Sequence, residues 1–393
     1  MNEKIDLTAE SFEEDRYARL RLIPWWDQDR LKQASVMVVG AGALGNELIK
    51  NLALLGVGKI YIFDMDRIEN TNLTRAVLFR REDVGCFKAE IAAERACRMN
   101  PDIFAKGFVA NIIDDVGLGV FRRMDVVLGG LDNREARLAI NQACYKVNKP
   151  WVDGAIEVLN GFARVFVPGR GACYECTMTE TDWALINKRK SCAMLTHAQM
   201  NEGKIPTTPT SSSVIAGVQV QEMLKLLHQD RGLPTLAGKG FVFNGLTHDS
   251  YVVEYQEKPD CMSHDTYGEI QEMPWEADKT TLGSMLQTIR SDLGETAVLE
   301  FDREIALTAR CGCGSSKPLF CPVHKLRGEM LLCDSCGGTM QFSTAHTLNG
   351  SESFLDQTPA ALGIPPLHIV CGRAGTTMKY YELTGDYVRV FGE

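Results

Sequence analysis

The apolar run Val36-Met37-Val38-Val39 predicts a short buried strand. It runs into Gly40-Ala41-Gly42-Ala43-Leu44-Gly45. Leu44, Leu48, Leu52 and Leu55 then recur at helical spacing, and Gly56 and Gly58 end the pattern. Ile60-Tyr61-Ile62-Phe63 predicts a second strand closing at Asp64. This strand–helix–strand unit opens a mostly parallel α/β sheet of Rossmann-like type. Further strands are expected at Phe108-Val109-Ala110 and Val126-Val127-Leu128, with an antiparallel one from Gly161 to Val167. Ser213 to His228 predicts a long helix on the same domain. Past Gln256 the pattern breaks: Pro, Asp and Glu accumulate and predict a linker over 265–281. The remainder, 282–393, reads as a smaller α+β region, with strands expected at Tyr380-Tyr381-Glu382-Leu383 and Tyr387-Val388-Arg389-Val390.

Composition narrows the class. The formal net charge of −9 argues against nonspecific binding to nucleic acid or anionic membrane. No apolar run reaches the roughly 20 residues that span a bilayer, and the polar, acidic stretch from Met1 to Tyr17 is no secretory signal. The expected location is cytoplasmic. In a reducing compartment, the 13 cysteines are read as metal ligands or nucleophiles before disulfides.

The glycine loop permits a tight turn and close approach of backbone to phosphate at a helix N-terminus. Asp64 lies 19 residues after Gly45, where an acid usually takes ribose hydroxyls. That much does not separate NAD from ATP. The following polar residues do: Asp64-Met65-Asp66, Asn72-Leu73-Thr74-Arg75, Lys88 and Asp132 supply phosphate cations and a carboxylate for Mg²⁺, not a hydride pocket.

In order and spacing, the glycine loop, Asp64-x-Asp66, Asn72-x-x-Arg75, Lys88 and Asp132 resemble the ubiquitin-activating enzymes and their bacterial relatives that adenylate sulfur-carrier proteins, the ThiF/MoeB-type adenylyltransferases. The resemblance covers about residues 12–264. It implies an adenylation domain over 1–264 in which Gly40, Gly42, Gly45, Asp64 and Asp66 cradle ATP. Asn72, Arg75 and Lys88 would then bind the triphosphate, and Asp132 would hold Mg²⁺. Arg16-Tyr17-Ala18-Arg19 is similar to the family's N-terminal arginine motif and implies that Arg19 reaches the nucleotide of a partner subunit, hence a homodimer.

Lys188-Arg189-Lys190-Ser191-Cys192 places a thiol beside three cations, which lower a thiol pKa. In the resembling enzymes the thioester cysteine follows the first Cys-x-x-Cys within a crossover loop, here expected over about 177–212, so Cys192 is the expected nucleophile. Cys86, Cys97 and Cys144 are expected in the core. Cys173-x-x-Cys176 is a zinc knuckle, and Cys261 with His264 stands where relatives place the second ligand pair, so the expected site is Cys₃His. Cys311-x-Cys313 and Cys333-x-x-Cys336 predict a second zinc in a ribbon over about 308–340, with Cys321 and His324 as substitutes. The rest of 282–393 faintly resembles the ubiquitin-fold domain that docks a conjugating enzyme.

The leading expectation is therefore an enzyme using ATP, Mg²⁺ and Zn²⁺. It would adenylate the C-terminal carboxylate of a ubiquitin-like protein, form a thioester on Cys192 and pass it to a conjugating enzyme. A sulfur-carrier adenylyltransferase and a non-catalytic scaffold subunit of a heterodimer are the alternatives.

Overall fold

The computed structural model describes residues 15–191 and 206–392. Two sheets organise them. The larger has eight strands in the order β3-β2-β1-β4-β5-β6-β7-β8. Its first five are β1 (Ser35–Val39), β2 (Lys59–Phe63), β3 (Phe104–Phe108), β4 (Val126–Gly129) and β5 (Trp151–Glu157), all paired in parallel. Then β6 (Asn160–Phe166), β7 (Lys239–Asn244) and β8 (Asp249–Glu254) continue it antiparallel. The third strand thus lies four residues earlier than the sequence pattern placed it: Val109 and Ala110 belong to the turn beyond its end.

Three helices cover one face. In α2 (Ala43–Leu55), which follows the short α1 (Gln28–Gln33), Leu44, Leu48 and Leu52 are buried at four-residue spacing. It ends where Gly56 adopts a left-handed φ of 73°, the conformation that a glycine supplies without strain. Across 206–227, Thr208 caps α7 (Pro209–Leu227) by accepting from the Ser211 amide, with Pro209 in the first turn. The helix begins four residues before the expected start because this cap lies in the Pro-Thr-rich run. Between these come α3 (Lys88–Met99), α4 (Leu118–Arg122), α5 (Arg134–Lys146) and α6 (Glu180–Ser191).

The second sheet has the order β11-β10-β13-β14-β9, with β12 also on β10. Its elements are β9 (Ile270–Met273), β10 (Val298–Arg310), β11 (Ser316–Pro322), β12 (Gln341–Leu348), β13 (Ile369–Ala374) and β14 (Thr377–Leu383). The segment 265–281, expected as a linker, therefore carries a strand: β9 pairs in parallel with β14, and Trp275 and Ala277 are buried. On this sheet lies α8 (Leu282–Leu293), whose Leu282, Met285, Leu286 and Ile289 make one apolar stripe.

The expected strand at 387–390 is instead a short helix, α9 (Tyr387–Phe391). Its alternating Tyr-Val-Arg-Val pattern is overridden by packing: the Phe391 ring meets Tyr61 of β2 edge-on at 5.1 Å. Leu367, Ile369 and Phe391 share a core with Met37, Val39 and Phe63. The C-terminal region thus joins α4 and α5 on the second face of the parallel sheet. Glu382, fully buried, meets Arg122 at 2.6 Å and also Arg123 across this contact.

Candidate active site

The glycine loop is dictated by close approach. Gly40 has φ near 90°, and a Cβ there would come within 2.5 Å of the Gly130 carbonyl oxygen. A Cβ on Gly45 would meet the Gly40 oxygen at 1.8 Å. Around Gly42, at the N-cap of α2, nothing lies within 4 Å of such a Cβ, and no side chain caps the helix. An uncapped N-terminus beside open space is the arrangement that receives phosphate.

Asp64 closes β2 against this loop. One carboxylate oxygen accepts from the Ala41 amide at 2.7 Å and the other from the Asp66 amide at 2.8 Å. Burial pushes its pKa up, against the pull of Lys88. Lys88 begins α3 and pairs with Asp66 at 2.8 Å. Asn72 caps its own turn, accepting from the Glu69 amide, and Arg75 donates to the Thr71 carbonyl at 3.2 Å. Buried Asn46, which sequence reading missed, joins the two segments. Its amide nitrogen donates to the Ala41 and Gly42 carbonyls, and its oxygen accepts from the Leu78 amide at 2.8 Å.

Asp132 is exposed two residues beyond Gly130, and its Oδ1 accepts one long hydrogen bond, from Asn133 at 3.3 Å. A carboxylate this open to solvent fits the hard, oxygen-liganded coordination of Mg²⁺. Beside it opens a cavity of about 460 Å³, lined among others by Arg137, Phe162, Arg164, Tyr174 and Tyr251. Fully buried Asp153 anchors this wall, accepting from Arg137 at 2.8 Å and from Arg164 at 2.5 Å. Arg137 also donates to the Leu131 carbonyl, which fixes the residue before Asp132. A carboxylate inside the apolar run Trp151-Val152-Asp153 was the available signal, since a buried charge requires partners.

Both cysteine groups assemble. Cys173, Cys176, Cys261 and His264 place their ligand atoms within 4.8 Å of one another, as do Cys311, Cys313, Cys333 and Cys336. Zn–S bonds of about 2.3 Å set tetrahedral sulfurs roughly 3.8 Å apart. The Cys173–Cys176 and Cys173–Cys261 sulfurs stand at 3.7 and 3.5 Å, and Cys313–Cys333 at 3.6 Å, so both groups fit zinc. Glu257 lies 3.5 Å from His264 Nδ1, the placement that orients a ligating imidazole. His324 is not in the second group; it pairs with Asp114. Cys144 is buried, but Cys86 is exposed on the turn after Gly85, which corrects the core expectation. Cys192 lies outside the described residues.

The ThiF family matches residues 14–263, the glycine loop, Asp64, Lys88 and Asp132 included. The chain belongs to the ThiF family. It is 27% identical over 249 residues to ubiquitin-like modifier-activating enzyme 5 of Arabidopsis thaliana, covering 56% of this chain and 55% of that one. It is 38% identical over 170 residues to the sulfur carrier protein adenylyltransferase of Thermus thermophilus, covering 41% and 63%. The chain thus spans about half to two thirds of the length of these relatives. Among solved structures, E. coli MccB with ATP is similar at TM-score 0.54 and 26% identity, over 65% of this chain and 75% of that one. Among the described residues, no helix is long and apolar enough to cross a membrane.

Proposed function

We propose that this ThiF-family chain adenylates the C-terminal carboxylate of a ubiquitin-like protein. The observation that carries this reading is the joining of the open N-terminus of α2, Asp64 and the Lys88–Asp66 pair on one rim, with exposed Asp132 and a cavity beside it. The substrate tail lies in the cavity, against Phe162, Tyr174 and Tyr251. Its terminal carboxylate, already ionised at neutral pH, attacks the α-phosphate of ATP. The bond to the β-phosphate breaks and pyrophosphate leaves. Arg75 and Lys88 neutralise the phosphate charge, and positioning supplies the rest. Mg²⁺ held by Asp132 would add charge neutralisation at the reacting phosphates.

The Cys192 thiolate then attacks the acyl carbonyl and AMP departs, giving a thioester for a conjugating enzyme. In the sulfur-carrier reading, favoured by the similarity to the Thermus enzyme, a sulfur donor attacks the same adenylate. Zinc in the two cysteine groups is structural, since four protein ligands close each site. The functional unit is a homodimer in which Arg19 crosses to the partner's nucleotide. Carrier-dependent exchange of pyrophosphate into ATP tests the adenylation step. Exchange absent with every ubiquitin-like protein tried, despite ATP binding, would count against it.

A further inference from the structure

The C-terminal half touches the adenylation domain at the segment that follows β3. Phosphates bound at Gly42 sit beyond β1, and a ribose on Asp64 sits beyond β2. In a sheet ordered β3-β2-β1, the base of that nucleotide continues toward the end of β3. The ends of β2 and β3 are tied there, because the Asp64 amide donates to the Phe108 carbonyl at 3.1 Å. Val109, 41% exposed, comes next.

Beyond it the chain makes a turn closed by its own side chains. The Asn111 amide donates to Asp115 at 3.0 Å, the Asn111 side chain to Asp114 at 3.1 Å, and the Ile113 amide to the Asn111 oxygen at 3.0 Å. Ile112 and Val116 seat this turn in the core with Met37 and Val39, which leaves its polar outer side, Asp114 and Asp115, to be held from elsewhere. Two contacts from the C-terminal region hold that outer side: His324 Nε2 meets Asp114, and Lys325 Nζ meets Asp115 at 3.0 Å. The next residues are seated on the same half. A Cβ on Gly117 would come within 2.2 Å of the Pro366 carbonyl oxygen, and the Gly119 amide donates to the Leu367 carbonyl at 2.8 Å.

We propose that His324 and Lys325 are positioning residues for the nucleotide base. Through the 109–115 turn, the C-terminal half supplies the base-side wall of the ATP site. This rests on the reading of the glycine loop and Asp64 as that site. The Asp114 side chain is 11% exposed and that of His324 36%, so solvent is kept from the Asp114 side of this contact.

The test uses the full chain without carrier, so that it is independent of adenylation. Calorimetry compares ATP with inorganic tripolyphosphate, which lacks a base, on wild type and on His324→Ala, Lys325→Ala and the double variant. Each single variant weakens ATP about fivefold, the scale of one hydrogen bond, and tripolyphosphate affinity stays at the wild-type value. His324→Gln, which keeps a donor toward Asp114, recovers most of the loss. Lys379→Ala, at an ion pair with Asp292 elsewhere in this half, leaves ATP binding unchanged. ATP affinity within twofold of wild type in the double variant overturns the proposal, as does equal weakening of ATP and tripolyphosphate. Wild-type chain that binds neither ligand refutes the site reading itself.

Discussion

The hydroxyl of Tyr17 stands against Gly56, so close that a Cβ on Gly56 would lie 2.4 Å from it. Asn100 fixes the contact, donating to the same hydroxyl and to the Ala53 carbonyl, each at 2.7 Å. Tyr17 is thereby anchored at the C-terminal end of α2. The glycine loop lies at the other end of this 13-residue helix, about 20 Å away. Arg19, exposed two residues past Tyr17, follows this anchor at the end of α2 away from the glycine loop.

Arg19 acting in trans predicts complementation. Arg19→Ala and Asp132→Ala are each inactive in pyrophosphate exchange. Mixed after dissociation, they recover roughly a quarter of wild-type activity, because half of randomly assorted dimers carry one intact site. No recovery, with mixed dimers present by mass spectrometry, contradicts an arginine donated across the interface.

Asp132 tests the metal side of the same reaction. Asp132→Ala lowers pyrophosphate exchange by at least about 100-fold, the scale of losing one electrostatic group at the reacting phosphate. The variant keeps the wild-type melting temperature, since the carboxylate is exposed and makes one weak contact. Exchange at the wild-type rate removes Asp132 from the mechanism.

Several parts of this arrangement were legible in the sequence. The glycine loop, Asp64 and both cysteine groups announce themselves because phosphate and zinc demand fixed residue types at fixed spacing. The strand at 270–273 was hidden, because its partner β14 lies over 100 residues later and its neighbours are Pro- and Glu-rich. The helix at 387–391 was misread because a five-residue pattern does not separate period 2 from period 3.6, and the contact of Phe391 with Tyr61 decides it. The cavity walls were illegible: Phe162 and Tyr251 are ordinary aromatic residues that only the register of β6, β7 and β8 brings into line, and Tyr174 joins them from the Cys173–Cys176 knuckle.

The two cysteine groups differ in burial, and metal loss separates them. Metal analysis finds close to two zinc per chain. Cys176→Ser removes one and lowers the melting temperature of the ThiF-matched domain, because Cys173 and Cys176 lie in the core with Trp151 and Phe166. Cys336→Ser removes the other with a much smaller thermal shift, since Cys313 and Cys336 are exposed in the ribbon. One zinc per wild-type chain, or an equal thermal shift in both variants, contradicts this division.

Adenylation followed by thioester formation is the central claim. Its most direct test is a nonreducing gel of the chain with ATP, Mg²⁺ and a candidate ubiquitin-like protein, wild type beside Cys192→Ala. The expected result is an ATP-dependent adduct, cleaved by thiol, in wild type alone, with pyrophosphate exchange intact in both. Exchange in both with no adduct in either contradicts the thioester route and assigns the adenylate to a sulfur donor.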